Sequence, residues 1–208
     1  MKRLPFNLCC ASFFLSALFS GCVSFERSYP DKHYFVLDVG QGVKPPNQTG
    51  NGVLEVSDMR ISPRYESQSF VYRTSEASYE SDFYNQFLIP PAALITEEVR
   101  KALVQSRIFE HVINSSSQLQ PTYRLEGMVN ALYGDFRSNS PASAVIEIEF
   151  FLSKPSSAGT EIIMGKRYSK SVPVSGRSPE ALVKGWDEAL SAALGSLVAD
   201  LQSASLQQ

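Results

Sequence analysis

Apolar residues along this chain recur at every second position in some stretches and at every third or fourth in others, and each change of period marks an element. His33-Tyr34-Phe35-Val36-Leu37 is aromatic and β-branched, and it runs into a Gly-, Pro-, Asn- and Gln-rich segment from Gly40 to Gly52. That combination predicts a strand followed by a loop. Val53 to Val56 and Met59 to Ile61 predict a second strand, stopped at Ser62-Pro63. Ser69 to Arg73 and Tyr79 to Tyr84 flank Thr74-Ser75-Glu76 and predict a hairpin, so the strands come first and the helices later.

After Pro90-Pro91 the period lengthens. Leu94, Ile95, Val99, Ala102 and Leu103 fall on one side of a helix that ends near Ser106, with Glu97, Glu98, Arg100 and Lys101 on the other. A brief strand from Phe109 to Ile113 and a polar loop, Asn114 to Gln120, lead to three long strands. Alternation is cleanest in Ala144 to Leu152, where Ile146, Ile148, Phe150 and Leu152 point one way and Glu147 and Glu149 the other. Tyr123 to Tyr133 and Glu161 to Ser171 alternate less strictly, and Lys154 to Thr160 reads as the turn before the last strand. A final helix opens at Ser178 as N-cap with Pro179 behind it. Its stripe of Leu182, Trp186, Leu190, Ala193, Leu197 and Leu201 carries it to about Leu201. The expected fold is α/β, a single domain with a mixed, largely antiparallel sheet and two main helices packed on it.

The start of the chain follows another rule. Met1-Lys2-Arg3 precedes an apolar run from Leu4 to Phe19, about 16 residues and short of the roughly 20 a spanning helix needs. Small residues, Ser20 and Gly21, stand before Cys22. This is the layout of an export signal closed by a lipobox, which implies cleavage before Cys22 and attachment of acyl chains to that residue. Two or three chains anchor a protein where one holds it only marginally. The expected organisation is a cleaved signal over 1–21, a polar tether over 22–32 containing Pro30, and a folded domain over 33–204. Cys9 and Cys10 leave with the signal.

Loss of the signal removes Lys2 and Arg3 and no acid, leaving seventeen basic residues against twenty-one acidic. No basic nucleic-acid surface is implied. Cys22 becomes the mature chain's sole cysteine, so stability rests on a core and not on disulfides.

Candidate chemistry is sparse. His33 and His111 are far apart in sequence, have no second ligand at metal spacing, and read as surface or edge-strand residues. Gly40-Gln41-Gly42 lacks the third glycine and following helix of a dinucleotide fingerprint. Glu147 and Glu149 share a strand face and could act as an acid/base pair, but Lys166 and Arg167 on the next strand offer cross-strand ion pairs, the stronger reading. No catalytic, metal or cofactor residue is assigned, and the lipid on Cys22 is the one expected attached group. Phe70, Tyr72, Tyr79, Phe83, Tyr84 and Phe87 crowd one short stretch. Most belong in a core, while Tyr79 and Tyr84 are the candidates for a face that contacts a partner or lipid.

Several of these pieces form an ordered pattern. Leu54-Glu55-Val56, the Ser62-Pro63 break, Phe70 to Ser75, Tyr79-Glu80, Phe83-Tyr84, the Pro90 to Leu103 helix, Ser106 to Phe109 and Tyr123 to Glu126 resemble the ABC-type transport auxiliary lipoproteins, the PqiC-like family. The resemblance spans roughly residues 34 to 200. Where the family often carries an aromatic, commonly Trp, before the proline-initiated helix, this chain has Phe87-Leu88-Ile89. The resemblance implies a non-catalytic module that docks on the periplasmic Mce-domain subunit of an ABC transporter with its permease and ATPase. Such transporters move phospholipid or other hydrophobic molecules between the two membranes. Self-association is left open. Val23 and Ser24 lack the Asp that commonly retains lipoproteins in the inner membrane, which favours the outer membrane, facing the periplasm. The competing readings are a lipoprotein of lipopolysaccharide or barrel-protein assembly and a periplasmic hydrolase.

Overall fold

A computed structural model describes residues 31–40, 50–156 and 159–205. Its elements in chain order are β1 (His33–Phe35), β2 (Val53–Val56), β3 (Arg60–Ile61), a 3-10 turn (Pro63–Tyr65), β4 (Ser69–Arg73), β5 (Tyr79–Phe87) and α1 (Pro91–Ser106). They continue with β6 (His111–Asn114), β7 (Tyr123–Asp135), β8 (Ser143–Ser156), β9 (Gly159–Pro173) and α2 (Pro179–Ser205). Cys22, the signal and most of the tether lie outside the described residues.

Strand β7 organises the sheet. Along one edge it pairs antiparallel with β8 for nearly its full length, and β8 pairs antiparallel with β9. Its other edge is shared in turn by β2, β3 and β4, all parallel to it. The sheet therefore forks: β6 joins β2 near the start of β7, while β5 and then β1 extend from β4 near its end. The long ladders are antiparallel, and the short parallel pairings lie on the forked flank.

Three expectations change. The segment Val53 to Ile61 is two strands, because Met59 turns its backbone N–H to Thr96 Oγ1 on α1, 2.9 Å away, instead of to the ladder. Strand β1 ends at Phe35 and not Leu37, because the amides of Asp38 and Val39 donate to side chains. Strands β8 and β9 run into the expected turn, pairing Lys154 with Glu161 and Ser156 with Gly159. The weaker alternation of β7 and β9 also has a cause: each carries a bulge, between Val129 and Ala131 in β7 and opposite Leu152 and Ser153 in β9. A bulge shifts the inward phase by one residue. In β7 the inward set changes from Leu125 and Val129 to Leu132.

Helix α2 packs along β8 and β9. Ser178 caps it as expected, its Oγ accepting from the amide of Ala181 at 3.2 Å. The core is aromatic where α2 crosses the fork. Trp186 lies edge-on to Phe70 at 5.0 Å between centroids and tilted against Phe87 at 5.4 Å. Its Nε1–H donates to the carbonyl of Tyr133, so this buried polar atom is satisfied. Helix α1 begins with Pro91 at its first position, where a missing N–H costs nothing, and ends at Arg107 in the left-handed conformation. Glu98, expected on the solvent side, is buried: its two oxygens accept from the amide of Val39 and from Lys101.

Candidate docking surface

The two tyrosines singled out from the sequence sit on the same strand but in different surroundings. Tyr79 packs edge-on against Tyr133, which stacks on Tyr65 of the 3-10 turn. The Arg73 guanidinium lies 5.9 Å from the Tyr79 ring centre. Around them Arg137 bridges Asp135 at 2.8 Å and Glu76 at 2.6 Å, and Arg73 reaches Glu76 at 3.0 Å. Hydrogen bonding from Arg137 holds the Asp135 carboxyl below the usual carboxylate range, against its own desolvation. Burial, and then the neighbouring Tyr79 and Tyr133, push the Tyr65 hydroxyl up to about 12. This end of the hairpin is a braced aromatic patch ringed by charge.

Tyr84 stands within a distortion in β5. Between the pairs Val71–Ser81 and Ser69–Gln86 the strand bulges outward. Asp82 builds the bulge: Oδ1 accepts from the amides of Tyr84 and Asn85, and Oδ2 from the Asn85 side chain and, across the hairpin, from the Tyr72 hydroxyl at 2.7 Å. An Asp that folds back on amides two and three residues ahead makes a local turn. Burial pushes the Asp82 carboxyl upward, but these donors outweigh it and hold it below its ordinary value. Burial, and then the bond to Asp82, raise the Tyr72 hydroxyl far above the normal phenol range.

The bulge carries Phe83 and Tyr84 into solvent, edge-on to one another at 5.2 Å. Phe83 is 64% exposed, and the Lys32 ammonium lies 4.4 Å from its ring centre. Register extends the patch: Tyr34 of β1 lies beside Gln86 of β5, and the Leu88 amide donates to the carbonyl of Phe35. Tyr34 and Val36 therefore share a sheet face with Leu88, opposite the buried Phe35–Phe70–Phe87 side. All three are exposed, as is Ile89. Sequence reasoning named Tyr84 but missed Phe83, Tyr34, Val36, Leu88 and Ile89. A signal was present, since residues 33–37 and 83–89 contain no Asp, Glu, Lys or Arg.

The segment after β1 is pinned by a charged cluster. Asp38 N–H donates to Asp187 Oδ1, and Lys101 reaches both Asp38 and Glu98. Burial pushes the Asp187 carboxyl up to about 6; the negative charges of Asp38, Glu98 and Glu188 add to that, and the Asp38 amide opposes it. A carboxyl raised on folding stabilises the native state fully below its unfolded value near 4, and that contribution is lost as pH rises through about 6. The carboxyls of Asp38, Asp82, Asp135 and Asp200 are lowered instead, so they stay ionised across this window. The melting temperature is expected to be about 1–2 °C higher at pH 5.5 than at pH 7.5, on the order of 0.5 kcal/mol after solvent screening. Asp187→Asn should abolish that rise and stabilise the protein at the higher pH; thermal melts at both pH values check it.

The other sequence candidates have structural roles. His33 and His111 are exposed, on the edge strands β1 and β6. Glu147 and Glu149 face the Arg167 guanidinium at 3.6 and 3.5 Å. Lys166, expected to pair with them, points to the other face and bonds Asp200 of α2, because neighbours on a strand alternate. Among the described residues no three His, Cys, Asp or Glu side chains group as a metal site, and no helix is long and apolar enough to cross a membrane. A depression of about 270 Å³ beside α1, lined by residues such as Arg100, Val104 and Val112, is open to solvent and too shallow to enclose a ligand.

The chain belongs to the ABC-type transport auxiliary lipoprotein components, whose family model matches residues 35–201. Among solved structures it is similar to protein XCC0632 from Xanthomonas campestris, a DUF330 protein, at 18% identity and a TM-score of 0.69, covering 79% of this chain and 93% of that one. An uncharacterised protein matches at 15% identity and a TM-score of 0.63, over 82% of this chain and 99% of its own. The hypothetical protein CT253 from Chlamydia trachomatis matches at 10% identity and a TM-score of 0.54, over 76% and 100%. At these identities the likeness is one of fold. No curated protein matches the sequence.

Proposed function

We propose that this protein is a lipid-anchored, non-catalytic accessory of an Mce-type ABC transporter, held at the periplasmic face of the outer membrane by acyl chains on Cys22. The observation that carries the reading is the family match over residues 35–201 downstream of a lipobox. Gly21 and Ser20 occupy positions minus one and minus two, Phe19 fills minus three, and Leu18 stands one place further out. The charged aromatic patch around Tyr79 suits a protein partner: rings with polar edges and flanking arginines are the residues that dominate protein interfaces. In this role the domain works by position, keeping the periplasmic conduit in register with the membrane that receives or supplies its lipid.

Cys22→Ser tests it. The variant is expected to leave the membrane fraction almost completely, since no acyl chain remains to hold it. Capture of the Mce subunit by the wild-type protein from solubilised envelopes is the second expected result. A Cys22→Ser protein that stays membrane-bound refutes the anchor, and capture of a barrel-assembly or lipopolysaccharide-transport protein in place of the Mce subunit refutes the partner.

A further inference from the structure

We infer that the apolar face formed by Tyr34, Val36, Phe83, Tyr84, Leu88 and Ile89 rests on the bilayer to which the protein is tethered, at the boundary between headgroups and acyl chains. The inference rests on acylation at Cys22 and adds an orientation that the anchor alone does not supply.

Where the tether ends is the first argument. Val23 to Lys32 is ten residues, so even at full stretch it spans about 35 Å, less than the length of a small domain plus a linker. It enters the fold at His33, on edge strand β1, which carries Tyr34 of this face, with Val36 just past its end. The anchored end of the domain and the apolar face are thus the same end.

Composition is the second. Residues 33–37 and 83–89 hold no Asp, Glu, Lys or Arg, although 19% of the whole chain is charged. Leu88 is 55% exposed and Phe83 64%, and two of the six side chains are tyrosines, whose apolar rings and polar hydroxyls suit the membrane interface. Lys32, seated over Phe83, places a cation at the rim where anionic headgroups would meet it, and the two flanking acids are held by partners: Asp82 accepts from Tyr72 and Asn85, and Asp38 from Lys101 and the Gly40 amide. By contrast, the Tyr79 patch is ringed by Arg73, Glu76, Asp135 and Arg137, charges that a bilayer interior would have to strip of water. Val104, Leu119 and Ile162 are exposed apolar residues on other elements, outside this face.

Rigid support is the third. Asp82 and Tyr72 fix the bulge that projects Phe83 and Tyr84, and the carboxylates of Glu98 and Asp187 fix the backbone just past β1. Rings held in place before contact lose little freedom on insertion.

The test uses the mature acylated protein in vesicles of phosphatidylethanolamine and phosphatidylglycerol. With Cys22 acylated, a cysteine introduced by Leu88→Cys is the one free thiol and takes an environment-sensitive fluorophore; Leu119→Cys, 57% exposed on another surface, is the control. Flotation with the vesicles is scored separately. The expected result is a label at position 88 that is blue-shifted and roughly halved in emission by brominated lipid, with the label at 119 unchanged. An unquenched label at 88 on protein that floats overturns the orientation and leaves the anchor standing; protein that fails to float overturns both. Protection at 88 that needs no vesicles assigns the face to the tether if it persists on dilution and to a second copy if it does not. Either outcome overturns the proposal.

Discussion

Trp186→Ala is expected to cost about 3–5 kcal/mol, the range for emptying a buried aromatic site, and to lower the melting temperature by roughly 10 °C. The side chain is fully buried, and it joins the last helix to the forked branch of the sheet. Most of the inward stripe of α2 lies on β8 and β9, whereas Trp186 reaches Phe70 of β4 and Phe87 of β5, and through Phe70 it reaches Phe35 of β1. Removing it leaves a cavity where the sheet forks and takes away the Nε1–H bond to the Tyr133 carbonyl. Trp186→Phe should recover most of the loss, because the ring contacts survive and only the Nε1–H bond goes. Calorimetry on both variants checks this. A loss below about 1 kcal/mol in Trp186→Ala would mean that the forked branch is held to α2 by something else.

The forked sheet explains which parts of the structure the sequence announces. Strand β8, helix α2 with its Ser178 cap, the β4–β5 hairpin and the helix after Pro90 are local patterns, and each forms in the stretch its period marks, although β5, β8 and α2 run three to four residues past their expected ends. What one strand pairs with is a non-local property. Nothing in Val53 to Arg73 states that three short strands will share one edge of β7, since alternation assigns faces and not neighbours. Glu98 fails for the same reason: its position on the polar side of a helix wheel is overridden by the Val39 amide and Lys101, which tertiary structure delivers. The candidate surface divides along this line. Tyr79 and Tyr84 stand out as aromatic residues with polar tips in a strand. Phe83 does not, because its exposure depends on Asp82 meeting Tyr72 across the hairpin, and a phenylalanine among aromatic neighbours otherwise reads as core.

Helix α2 supplies the second large effect, and it comes as a pair of opposite sign. Gly185 and Gly195 look alike in sequence, each a glycine inside a long helix where alanine is favoured by about 1 kcal/mol. In space they differ completely. A Cβ at Gly185 would lie 2.7 Å from Ala144 Cβ on β8 and 2.6 Å from a methyl of Val174, while a Cβ at Gly195 would meet nothing within 4 Å. Ala144 is a short side chain fixed to a central strand and cannot rotate away, so a larger residue at 185 must lift α2 off the sheet. Gly185→Val, which adds two methyl groups beyond the clashing carbon, is therefore expected to destabilise by about 3 kcal/mol or more, and Gly185→Ala by about 1–2 kcal/mol despite its better helix propensity. Gly195→Ala should raise stability by about 0.5–1 kcal/mol through lost freedom in the unfolded chain. Denaturant titration of the three variants measures all of it. Propensity alone predicts that both alanine variants gain, so a stabilised Gly185→Ala would show that α2 does not approach β8 this closely. A destabilised Gly195→Ala would show instead that this turn of the helix is covered.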